Sequence, residues 1–91
     1  MTGRGAEWID FSAILLDHVE NYTVPQYGDL GGDNVTDWDD VQCVKQIGKY
    51  VKRYESNARG EQEKLLDLKK AAHYACMAYF KAAAKLNGGE A

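Results

Sequence analysis

Proline is nearly absent. Pro25 is the only one, so the chain beyond it has no residue that breaks a helix by lacking an N–H. Cysteine is scarce too. Cys43 and Cys76 stand apart, too few and too isolated for a zinc site, and both read as buried reduced thiols of a cytosolic protein. No apolar run approaches the length of a membrane span, and the opening MTGRGAEW lacks the apolar core of a signal peptide. The expectations are no membrane association and a cytoplasmic location. Basic residues are almost missing from the front: residues 1–40 hold one, Arg4, against nine acidic ones. The formal net charge of −3 hides this polarity, because residues 41–91 hold ten basic and five acidic residues. A net acidic chain lacks the footprint that non-specific DNA binding needs. No glycine-rich phosphate loop of the GxGxxG or GxxxxGK[ST] kind is present. No nucleophile, base and orienting carboxylate can be grouped either, so no catalytic residue is assigned.

What is present is helical pattern. Residues 61–85, EQEKLLDLKKAAHYACMAYFKAAAK, are rich in good helix formers and contain neither Gly nor Pro. Leu65, Leu68, Ala72, Ala75, Cys76, Tyr79 and Ala83 recur at three- and four-residue steps and form one stripe. Leu66, His73, Met77 and Phe80 widen it beyond what one neighbouring helix covers. Such a helix is expected at the centre of a bundle or shared with a second subunit. Ser56 or Asn57 is placed to cap its start, and Asn87, Gly88 and Gly89 to stop it.

Residues 1–6 read as a flexible tail. A first helix is expected from about Trp8 to Thr23, with Trp8, Phe11, Leu15, Val19 and Tyr22 as its stripe. Pro25 ends it, since the residue before a proline is pushed out of helical geometry. Residues 24–37, VPQYGDLGGDNVTD, read as a loop of turn formers whose spacing fails the calcium-loop pattern. Thr36 and Asp39 form a capping-box-like pair before a second helix whose stripe is Val41, Val44, Ile47, Val51 and Tyr54. Gly48 inside it suggests a close helix approach. The whole reads as an all-α protein: a single helical domain over residues 7–87, with tails at 1–6 and 88–91. Its expected architecture is a three-helix antiparallel bundle completed by dimerisation.

Two constellations bear on chemistry. Asp17 and Glu20 on the first helix, and Glu63 and Asp67 on the third, are spaced so that each pair shares a helix face. Four such carboxylates brought together suit Mg2+, which takes oxygen ligands and bridges to nucleotide phosphates. Asp17 and the Glu63–Asp67 pair also lie nearly opposite the apolar stripes, where charges usually form a solvated face. The second constellation is the basic face Lys45, Lys49, Lys52 and Arg53, with Arg59 nearby. Arg clamps a phosphate with paired hydrogen bonds, and Tyr50 and Tyr54 stand beside it to stack on a base. The same face also suits pairing with the acidic front half. His73 reads as a partly buried, hydrogen-bonded histidine more than as an acid–base group, His18 on the flank of the first helix has no stronger claim, and Trp8, Tyr22, Tyr27 and Trp38 read as core or interface packing.

The segment KYVKRYESNARGEQEKLLDLKKAAHY resembles the K-Y-x-x-R-Y … D-L-K-K-A-x-x-Y core of small phage SaV-like proteins of unknown function. YGD at 27–29, followed by a K-x-x-R helix and an E…D helix, is similar to phage-associated nucleotide-modification domains. These look like remote relatives of the MazG-type nucleoside triphosphate pyrophosphohydrolases. The resemblance covers roughly residues 20–80. It implies a phage or prophage protein with magnesium on Asp17, Glu20, Glu63 and Asp67 and phosphate contacts from Lys49 and Arg53. A nucleoside triphosphate would be the partner, cleaved to monophosphate and pyrophosphate. The sequence departs from that family in having Asp at position 17 and four-residue spacing between Glu63 and Asp67. A binding-only descendant fits as well as an enzyme, and so does a helical dimerisation or protein-interaction module with no chemistry.

Overall fold

The structure, a computed structural model, describes residues 1–56 and 59–88. It is all-α, and no strand occurs among the described residues. In chain order the elements are α1 (Gly3–His18), a π-helical turn (Val19–Thr23), α2 (Val24–Tyr27), a 3-10 turn (Asn34–Asp37), α3 (Asp40–Ser56) and α4 (Glu61–Leu86). The chain divides into two compact units, one ending at Asp33 and one beginning at Asn34. No helix among the described residues is long and apolar enough to cross a membrane.

In the first unit, α1 begins at Gly3 and not near Trp8. The Thr2 hydroxyl accepts the Gly5 N–H at 3.0 Å, a side-chain cap that starts the helix five residues early. Residues 3–6, expected in the tail, are its first turn. Pro25 does not end the helix either. The π turn comes first, with the Val24 N–H reaching the Val19 carbonyl five residues back. Pro25 then falls at the first positions of α2, where a missing N–H costs nothing. The stop is Gly28, whose φ of 100° is open to glycine and whose N–H bonds the Val24 carbonyl at 2.9 Å. The expected fourteen-residue loop therefore shrinks, because its first four residues are helical and its last four form the 3-10 turn.

In the second unit, α3 and α4 pack as an antiparallel hairpin. The start of α3 is held by Asp39, not Thr36. The Asp39 carboxylate accepts the Gln42 N–H and the Gln42 side chain accepts the Asp39 N–H, both at 2.8 Å, a reciprocal capping box. Thr36 lies in the 3-10 turn. At the open end of the hairpin, Lys85 donates to Asp40, and Lys81 Nζ donates to the carbonyls of Val35 and Thr36 at 3.0 and 3.2 Å. The N-cap of α4 is Gly60, with no side-chain bond. Ser56 instead donates to the Arg53 carbonyl at the end of α3. Asn57 and the tail from residue 89 onward lie outside the described residues.

The hairpin uses a different face of each helix from the one the apolar stripes mark. On α3 the buried residues are Cys43 and Tyr50, while Val41, Val44, Val51 and Tyr54 are exposed. On α4 the buried residues are Asp67 and Ala78, while Leu65, Leu68, Tyr79 and Phe80 are exposed. Cys43 is fully buried as expected, but Cys76 is exposed. Gly48 permits no close approach, since a Cβ built there meets nothing within 4 Å.

Candidate functional site

The residues of greatest chemical interest in the hairpin gather around Tyr50. This tyrosine faces α4 from the middle of α3 and is buried. Its ring stacks against Tyr74 of α4, with centroids 5.9 Å apart and planes 21° apart. Tyr74 stacks in turn against Trp38, at 6.4 Å and 17°. Three near-parallel rings thus line the seam where α3 meets α4.

Three cations surround the same Tyr50 ring. Lys49 Nζ lies 5.1 Å from its centroid, the Arg53 guanidinium carbon 5.3 Å, and Lys70 Nζ 5.5 Å. Lys49 and Arg53 are one turn apart on α3, and Lys70 comes across from α4. The negative face of an aromatic ring attracts each cation, by about 0.5–1 kcal/mol at an exposed site. The cations stand no farther from one another than about a Debye length, so they act on a ligand together. One carboxylate belongs to the group. Asp67 is 3% exposed, and its Oδ1 lies 3.8 Å from Arg53 Nε, whose side chain is 26% exposed. That distance makes an ion pair and not a hydrogen bond. Oδ1 has no hydrogen-bond partner among the described residues.

The carboxylates proposed for magnesium are distributed as follows. Asp17 is exposed on α1 and accepts a hydrogen bond from Asn21 at 2.7 Å. Glu20 is exposed within the π turn. Glu63 Oε1 sits 3.2 Å from the Arg59 guanidinium. Asp67 faces Arg53, as above. Among the described residues, no three His, Cys, Asp or Glu side chains group around a point that would hold a metal ion. In the second unit each of the two carboxylates meets a guanidinium, and the donor set there does not by itself make a cation site.

Of the phosphate residues, Lys49 and Arg53 stand together at the Tyr50 ring. Tyr50 is not open to stack on a base, because Tyr74 covers it. Tyr54 is the more exposed ring, with Lys64 Nζ 4.8 Å from its centroid. Lys70 escaped notice in the sequence. Its signal was there: Asp67, Lys70, Tyr74, Ala78 and Lys81 recur at helical spacing, but only Ala78 and Tyr74 in that series look like core. In the first unit His18 is buried and stacks on Tyr22 at 5.0 Å and 18°, across the start of the π turn. Trp8 meets Phe11 edge-on at 6.0 Å. No protein-family model, curated protein or solved structure matches the chain.

Proposed function

We propose that this is a small phage- or prophage-type helical protein that binds a nucleoside triphosphate in the cytoplasm, at the basic seam of the α3–α4 hairpin. One observation carries the reading: Lys49, Arg53 and Lys70 converge on one tyrosine ring, with Asp67 beside Arg53. Net positive charge concentrated on a half-buried seam favours a compact polyanion. The two lysines add point charge and the guanidinium adds directional donors. Magnesium enters this reading with the triphosphate, on its phosphate oxygens. Binding, not turnover, is the activity that the cluster supports.

The test is thermal unfolding with and without magnesium, against a panel of ribo- and deoxynucleoside triphosphates. Ligand at a hundred times its dissociation constant adds about 2.7 kcal/mol to stability. In a domain of this size that raises the midpoint by roughly 10 °C or more. Lys49→Ala with Arg53→Ala should abolish the shift. A flat panel sinks the reading.

A second reading has its own support. Leu65, Leu68, Tyr79 and Phe80 expose a long apolar face on α4, which is more than scattered surface residues account for. That face suits a homodimer or a partner helix, and burying each large side chain would contribute about 1.5–3 kcal/mol. Sedimentation of wild type and Tyr79→Glu tests it. A wild-type monomer across the accessible concentration range would count against it.

A further inference from the structure

Asp67 holds an unmet acceptor inside the cationic seam. Its side chain is 3% exposed, and Oδ1 lacks a hydrogen-bond partner among the described residues. Buried polar atoms are nearly always satisfied, and an orphan carboxylate oxygen is among the more costly exceptions. Arg53 is too far from it for a hydrogen bond, and of the two it is the one that solvent reaches. A ligand drawn to the guanidinium therefore arrives beside Asp67.

A carboxylate only accepts, so what completes it is an O–H or N–H donor. The three cations around Tyr50 ask for an anion. The fitting ligand carries both, with the donor within a few bonds of the negative charge, because Asp67 and Arg53 are neighbours. In a nucleoside triphosphate the sugar hydroxyls stand that close to the first phosphate, whereas the donors of the base stand farther off. We propose that Asp67 is a specificity residue that accepts a hydrogen bond from a sugar hydroxyl of the bound nucleotide. The site thereby prefers hydroxylated nucleotides over dideoxynucleotides and bare polyphosphate. This rests on the nucleotide-binding reading above and names what within the ligand is recognised.

The experiment is calorimetric titration of the full chain, in chelator without magnesium. The probes are a ribonucleoside triphosphate, its 2′,3′-dideoxy analogue and inorganic tripolyphosphate. A hydrogen bond to a charged acceptor predicts binding of the dideoxy analogue weaker by about tenfold to a hundredfold. In Asp67→Ala that ratio should collapse to near one. Tripolyphosphate should then bind as well as before or better, since a negative charge has left the seam. Retained tripolyphosphate binding also shows that the variant has folded. Where the variant does not fold, the wild-type ligand series decides alone. Equal binding of the ribo and dideoxy ligands overturns the inference and leaves nucleotide binding standing. So does discrimination that appears only when magnesium is added, because Asp67 would then act through the metal. Failure of all three probes to bind overturns both readings.

Discussion

Replacing Gly48 with Ala is expected to stabilise the protein. Gly48 lies in the interior of α3, where glycine is unfavourable because it loses more backbone freedom on folding than any other residue. Its φ is not positive, so Ala can adopt the same backbone. A Cβ there meets nothing within 4 Å, so no clash opposes the gain. The helix-propensity difference then stands almost alone, at about 0.5–1 kcal/mol. For a chain of this length that corresponds to a midpoint higher by roughly 2–8 °C. Circular dichroism melts of both proteins at matched concentration, repeated over a wide concentration range, measure it. A lower midpoint for Gly48→Ala refutes the reasoning. It would mean that a second surface closes on the exposed face of Val41, Val44 and Val51 in solution. A concentration-dependent deficit would identify that surface as another copy of the chain.

Three further outcomes are expected. A maleimide should modify Cys76 alone in the native protein and both thiols after unfolding, read by mass. Cys43 is fully buried, and that burial pushes its thiol up from the usual 9.0 and disfavours the reactive thiolate. The Asp40–Lys85 pair should give the hairpin an acid limb. The hydrogen bond from Lys85 lowers the Asp40 carboxyl below its ordinary 3.8, so its contribution is full above that value and fades as pH falls below it. Lys85 is raised above 10.5 by the same bond, so the alkaline loss comes only as pH climbs past that value. Asp40→Asn should flatten both limbs in pH-dependent melts, most clearly at low salt. Gly28→Ala should destabilise the first unit by about 1–3 kcal/mol, since a φ of 100° with ψ of 166° is open almost only to glycine. Its new Cβ would also stand 3.0 Å from the Gly32 carbonyl oxygen. An unchanged melting midpoint would show that Gly28 holds another conformation in solution.

Much of the helical content was legible because it is local. The run 61–85 nearly matches α4 at Glu61–Leu86, since its residues favour helix whatever they pack on and Asn87 and Gly88 end it. The turn formers between α2 and α3 were read as a loop too long by eight residues. Pro25 and Thr36 each had a local alternative, a π turn before one and a 3-10 turn around the other. Lys49 and Arg53 were legible as a pair because one helical turn separates them. Lys70 was not, because the helical series it shares with Asp67, Tyr74 and Ala78 is too polar to mark a packed face, and the apolar stripe on the other side of α4 outweighed it.

The sequence by itself determined that the chain is helical, that an unbroken helix runs through residues 61–85 and stops at Asn87 and Gly88, and that positive charge clusters late in the chain. Propensity and charge are properties of residues and their near neighbours. Only the tertiary structure decided which faces meet. The apolar stripe through Leu65, Leu68 and Tyr79 promised the core, yet the hairpin closes on Asp67, Tyr74 and Ala78. Periodicity marks a face that must be covered, but it does not say by what. The Tyr50–Tyr74–Trp38 stack, the Arg53–Asp67 pair and the lysine contacts to Asp40, Val35 and Thr36 join residues far apart in the chain. Such contacts depend on the register of two helices against each other, which no local pattern encodes.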